Sequence, residues 1–233
     1  MNHGPCEALI VAHGQPSAPL LPEQWLQGFA ATVNQHLPNW TIRAATLAMP
    51  NALERQVSEI SLGSLVFPMF MADGFFVSKM LPDRLGDADL HVLPPLGLHP
   101  NLPDVAVDGV KTALADRKWK QEESHLLLAA HGSAKGPKAA ESAYAFQNAL
   151  SKRFEALEIS VGFVEEPPFM ADAASALPKQ SLCLPFFALE GDHCRHDIPE
   201  ALEKSRFSGV TLPPLGTWNE TAKLAAEAIQ NGR

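Results

Sequence analysis

Two histidines stand in settings that could present an imidazole to a ligand. His131 ends the apolar run Leu126–Ala130 and is followed by Gly132-Ser133, small residues that let the chain turn and leave backbone N–H groups open. His193 lies in Glu190-Gly191-Asp192-His193-Cys194-Arg195-His196-Asp197-Ile198-Pro199. Two convergent imidazoles suit a divalent metal of modest affinity, and two ligands leave coordination positions open, as a catalytic site requires. Glu165, in Phe163-Val164-Glu165-Glu166-Pro167, is a third candidate. It could complete the metal shell or take protons from a ligand, and its neighbour Glu166 could do the same. His3, His36, His91, His99 and His125 fall in no such pattern and fit surface or hydrogen-bonded structural roles.

The elements that must position these groups come in two copies. Val11-Ala12-His13-Gly14 answers Ala129-Ala130-His131-Gly132. Ser64-Leu65-x-x-Pro68-x-Phe70-x-x-x-Gly74 answers Ser181-Leu182-x-x-Pro185-x-Phe187-x-x-x-Gly191. Leu93-Pro94-Pro95-Leu96-Gly97 answers Leu212-Pro213-Pro214-Leu215-Gly216. The three offsets, 118, 117 and 119, agree within a residue of a common spacing, which is too long for a solenoid and indicates a duplicated domain. Short apolar runs at 8–11, 42–46, 65–70 and 91–93 predict strands in the first copy, and 126–130, 159–164, 181–186 and 210–212 in the second. Between the latter, 139–156, 169–177, 197–204 and 217–230 predict helices, with Pro199 in a first turn where a missing N–H costs little. Strict alternation implies parallel sheets flanked by helices on both faces, with ligands beyond the carboxyl ends of the strands. The charged stretch 117–123 is the expected linker, giving domains 1–119 and 120–233.

The first copy serves as an internal control. Six residues before Pro199 stands His193, and six before Pro82 stands Phe76; counted from Pro167 and Pro50, Glu165 corresponds to Ala48. The first copy thus keeps His13 and replaces the other two polar groups with Phe and Ala. One chain is expected to carry one working site, in the second copy.

The balance of 26 Asp plus Glu against 18 Lys plus Arg, a formal charge of -8, argues against a general binder of nucleic acid or anionic membranes. A local basic pocket for an acidic substrate is still compatible with it, and Lys135, Lys138 and Arg195 lie near the two histidines in sequence. Cys6, Cys183 and Cys194 form no CxxC pair, so neither a zinc knuckle nor a disulfide framework is indicated. No signal-peptide core or run of 18 apolar residues is present, and a cytoplasmic protein is expected.

Taken together, the strand ending in His131-Gly132-Ser133, Phe163-x-Glu165, Gly191-x-His193-x-x-x-Asp197-Ile198-Pro199 and the closing Pro-Pro-Leu-Gly resemble the sirohydrochlorin chelatase family, the CbiX or SirB type. The resemblance covers both halves. It implies a chelatase fold of two pseudo-symmetric α/β halves in tandem, with the active site in the cleft between them. The implied activity is ATP-independent insertion of Fe2+ or Co2+ into sirohydrochlorin, in siroheme or cobalamin biosynthesis. No cofactor is implied beyond that substrate metal. The family's paired histidines map onto His131 and His193 and its acidic residue onto Glu165, with Ser133, Lys135, Arg195 and His13 as expected substrate contacts. Long members of the family often keep the pair in the first half, where this chain has Phe76. A duplicated chain supplies both halves by itself, so a monomer suffices.

Two rivals have distinct signatures. A histidine phosphatase also ends a strand in His-Gly, but it needs Arg before the His, where Ala12 and Ala130 stand here. A carrier of metal or tetrapyrrole would use the same ligands without turnover.

Overall fold

A computed structural model of the chain describes residues 6–133 and 136–232. It contains two four-stranded, all-parallel sheets. In the first, β1 (Cys6–Ala12), β2 (Trp40–Thr46), β3 (Ser64–Pro68) and β4 (Leu90–Val92) are ordered β2-β1-β3-β4. In the second, β5 (His125–Ala130), β6 (Glu158–Phe163), β7 (Ser181–Pro185) and β8 (Val210–Thr211) are ordered β6-β5-β7-β8. The expected strands are all present, with ends shifted by one or two residues.

The apolar runs follow from burial on both faces. Alternate residues of β1, Leu9 and Val11, meet α2 (Ala52–Glu59) and α3 (Leu81–Leu85) in one core, which leaves Ala8, Ile10 and Ala12 for the opposite face. The second unit repeats this. Leu127, Ala129 and Cys183 pack with Met170 and Ala174 of α6 (Met170–Ala174) and Ile198 and Leu202 of α7 (Ile198–Lys204). The expected helix 139–156 is α5 (Lys138–Ser151).

The domain boundary lies elsewhere than at residue 119. One compact unit takes the chain up to His99 together with everything from Asn219 onward; the other takes Pro100–Trp218. Helix α4 (Leu102–Asp116), which closes the first sequence copy, packs against α5 of the second unit. Helix α8 (Asn219–Asn231), which closes the second copy, packs against α1 (Leu20–His36) and β3 of the first. The repeat in the sequence and the folded unit are therefore out of phase by one helix. An amphipathic stripe tells only that a helix has an apolar face, not which sheet covers it.

The Leu-Pro-Pro-Leu-Gly motif has a steric reason. After β4 and β8 the chain makes a short 3₁₀ turn whose glycine N–H donates to the Phe70 carbonyl in one unit (Gly97, 2.9 Å) and to the Phe187 carbonyl in the other (Gly216, 2.9 Å). A Cβ on Gly97 would fall 2.0 Å from the Met71 carbonyl oxygen, and one on Gly216 would fall 2.2 Å from that of Ala188. Only glycine lets this turn brace the segment leaving β3 or β7, the segment on which Phe76 or His193 stands.

Because α8 completes the first unit, Ile229→Ala, at a fully buried position of that helix, should cost about 2–5 kcal/mol. Amide hydrogen exchange should show the loss of protection in β1–β4, with β5–β8 little changed.

Candidate metal centre

The hydrogen-bond ladder between β5 and β6 runs past the strand ends. Val164 N–H donates to Ala130 O and Glu165 N–H to His131 O, each at 3.0 Å. This sets Glu165 directly beside His131. On the other side, β7 leads to a π-helical turn, His193–Asp197, closed by Ile198 N–H donating to His193 O. His193 therefore stands on a wide turn at the entry to α7. Such single π turns recur at functional sites. The ring centroids of His131 and His193 lie 4.4 Å apart at 84°. One ligand atom each from His131, Glu165 and His193 can be chosen so that all three lie within 4.8 Å of one another.

Both imidazoles are held by Nδ1. His131 Nδ1 lies 2.8 Å from the Gly132 carbonyl oxygen and His193 Nδ1 lies 2.6 Å from Asp197 Oδ2. Both partners are acceptors, so in the neutral ring each Nδ1 carries the proton and each Nε2 the lone pair that a ligand would use. Gly132 makes the first of these possible. Its φ of +70° turns the chain sharply after the histidine, and a Cβ there would meet Glu166 Oε1 at 2.8 Å.

The two glutamates are placed differently. Glu165 is exposed and stands in the triad. Glu166 accepts from Ser133 N–H at 2.7 Å and so clasps the turn after His131. That bond also corrects the expectation of an open backbone nest at Gly132-Ser133, because the Ser133 N–H is already engaged. Arg195 pairs with Glu190 at 3.4 Å, and both are well exposed. Lys138 is exposed at the start of α5, whereas Lys135 lies outside the described residues. His13 belongs to the first unit.

Cys194 follows His193 but does not join it. Its side chain packs against the α6–α7 core beside Cys183, and burial pushes its thiol up to about 11. A neutral thiol is a poor metal ligand, so the donors on offer are two nitrogens and one carboxylate. His125 confirms its structural reading. It opens β5, bonds Ser160 Oγ at 2.8 Å, and desolvation holds its pKa below the ordinary imidazole value despite Glu158 nearby.

The first unit reproduces this framework without its polar groups. His13 Nδ1 lies 2.8 Å from Gly14 O, Gly14 has a φ of +72°, and Ala48 N–H donates to His13 O at 2.9 Å. The π turn is present as Phe76–Met80, closed by Leu81 N–H donating to Phe76 O. The ring of Phe76 sits 4.2 Å from that of His13 at 72°. Backbone and ring placement thus match the second unit, with Phe76 for His193, Ala48 for Glu165, Met49 for Glu166 and Met80 for Asp197. Counting from the prolines located the first two substitutions. The last two, and the roles of Asp197 and Glu166, depend on hydrogen bonds that residue types alone do not reveal.

Comparison with known proteins agrees with this framework. The CbiX family model matches residues 125–231. A solved structure described as CbiX, the terminal enzyme for biosynthesis of siroheme in denitrifying bacteria, is 37% identical over 97% of this chain and 98% of its own, with a TM-score of 0.88. This chain belongs to the CbiX family. Among other CbiX-like relatives, a protein named "Probable sirohydrochlorin cobaltochelatase" from Halobacterium salinarum is 22% identical over 162 residues, 58% of this chain. The match spans 55% of that protein, so this chain covers about half the length of its curated relative. SirB from Bacillus subtilis, solved with Fe3+, shares the fold at 14% identity, with a TM-score of 0.76 over 97% of this chain and 94% of its own.

The two glutamates should separate in mutants. Glu165→Ala should leave the melting temperature unchanged and weaken Co2+ binding about tenfold or more, a difference of about 1.4 kcal/mol. Glu166→Ala removes a charge-assisted hydrogen bond and should lower stability by about 1–3 kcal/mol, as thermal denaturation would measure.

Proposed function

We propose that this protein inserts a divalent metal, Fe2+ or Co2+, into sirohydrochlorin without ATP. The observation that carries the reading is the triad His131, Glu165 and His193, with its ligand atoms within 4.8 Å of one another, in a chain of the CbiX family. Its relatives' names support the substrate, one for siroheme biosynthesis and one for cobalt.

The chemistry suits the groups. Insertion replaces two pyrrole N–H bonds with two metal–nitrogen bonds and releases two protons. It needs a metal held weakly enough to leave and bases close enough to take those protons. Two neutral Nε2 atoms and one exposed carboxylate make a three-donor site with coordination positions left for the macrocycle nitrogens. As the metal transfers, each freed imidazole or carboxylate can accept a proton, so the same three groups serve both halves of the exchange. The nitrogen and oxygen donors accept iron and cobalt alike, and availability then selects between them. The acidic macrocycle meets a chain of net charge -8, so its carboxylates need local cations. Arg195, two residues after His193, and Lys138, at the start of α5, are the groups to supply them, with Ser133 as a polar neighbour.

An anaerobic assay with purified protein, sirohydrochlorin and Fe2+, Co2+ or Ni2+, followed by absorbance, tests this directly. Conversion of many equivalents per chain is expected, whereas a carrier would stop at one. His193→Ala should slow insertion by about 100-fold or more, and Phe76→Ala should leave most of the activity. The reverse ranking would move the site to the first unit.

A further inference from the structure

We infer that Asp197 is a positioning residue, which holds His193 in the tautomer that presents Nε2 to the metal. The inference rests on the reading of His193 as a ligand and extends it to a group outside the triad. Asp197 Oδ2 lies 2.6 Å from His193 Nδ1. An ionised carboxylate only accepts hydrogen bonds, so in the neutral ring this contact places the proton on Nδ1 and the lone pair on Nε2. A free neutral imidazole exchanges between two tautomers, and only one of them offers Nε2 as a ligand. Carboxylates that bind a ligating histidine in this way also fix the ring's rotation and raise its basicity.

Two observations separate this role from a structural one. Asp197 ends the π turn and runs straight into α7 with helical φ and ψ of -65° and -44°, so α7 has no free first N–H for it to cap: Ile198 N–H is met by His193 O. Its carboxylate makes no capping bond and is turned to His193. The first unit supplies the second observation. It forms the same π turn, Phe76–Met80, followed by the same short helix with proline in its first turn. At the position of Asp197 it has Met80, and Phe76 has no ring nitrogen to orient. The turn therefore closes without an acid at this place, and the acid accompanies the imidazole rather than the fold. His131 needs no such side chain, because the Gly132 carbonyl serves its Nδ1. That carbonyl is fixed by the backbone, so the two ligands reach one tautomer by different means.

The test uses the whole 233-residue chain and two readouts. Ring ¹⁵N shifts, recorded without metal at a pH where the imidazole is neutral, report the tautomer of His193. The visible bands of added Co2+ report metal affinity. The wild type should show Nδ1–H at His193, and Asp197→Ala should populate the Nε2–H form and weaken Co2+ binding about 10- to 100-fold. Asp197→Asn, which keeps an acceptor oxygen, should fall between the two. Thermal denaturation should show Asp197→Ala folded. An unchanged tautomer and unchanged Co2+ affinity in Asp197→Ala would overturn the assignment, and so would an Nε2–H tautomer in the wild type. If the tautomer shifts in Asp197→Ala while His193→Ala keeps full Co2+ affinity, the positioning stands and the reading of His193 as a ligand falls.

Discussion

The site depends on one feature of parallel pairing: the ladder between the first two strands of each unit continues beyond their ends. The bond from Glu165 N–H to His131 O fixes the second residue after β6 beside the residue after β5. Every other part of the centre is built against that edge. The turn at Gly132 is needed because the chain must leave β5 at once without crossing the residue that follows β6. Glu166 is then placed to receive the Ser133 N–H, and the ring of His131 faces the segment that follows β7. In a parallel sheet the strands' carboxyl ends all lie on one side, so three side chains from three separate segments converge without any long loop. Short loops matter energetically, since a side chain held by a ladder loses little further freedom when it binds.

The two units act as a control for which part of this is scaffold. With Ala48 and Phe76 in place of Glu165 and His193, the first unit keeps the ladder bond, the positive φ of its glycine, the imidazole–carbonyl contact and the π turn. None of these therefore needs a metal ligand to form. Phe76 fills the room of an imidazole with a ring of similar size, which keeps the packing against His13 and Phe70. Volume is conserved while polarity is lost, the kind of exchange a close-packed surface tolerates well. The chemistry resides in side chains, and the placement of those side chains in the backbone.

This division explains what the sequence disclosed. The strands are legible because burial on both faces leaves nearly unbroken apolar runs such as Leu126–Ala130, and the duplication is legible because proline and glycine recur at fixed offsets. Those prolines also mark the ends of the turns that carry the site, so counting back from Pro199 and Pro82 aligned His193 with Phe76 correctly. The exchange of α4 and α8 between the folded units was not legible. Both helices have an apolar stripe, and either sheet could cover it. Nor was the clasp of Glu166 on Ser133 N–H, since two adjacent glutamates after a strand differ only in the direction their side chains take. The π turn escaped for a similar reason. One residue of extra width in a helix leaves no mark on composition, and Pro199 predicted a helix start four residues after the ordered turn begins.

The choice of donors suits the proposed insertion. A thiolate beside two imidazoles would hold a soft divalent ion tightly, and the chain does place Cys194 next to His193. The fold turns that thiol into the α6–α7 core, where burial raises its pKa to about 11 and keeps it protonated at neutral pH. The same turn keeps His193 partly exposed, with Asp197 held against its Nδ1. The groups left to the triad are two imidazoles and one exposed carboxylate, donors from which the proposed insertion would release a metal more readily than from a thiolate. A thiolate would gain a proton too, but it would first have to give up a much stronger bond. On the proposed reading, sequestering the sulfur thus favours release as the imidazoles favour capture, and it does so through packing at the residue next to His193.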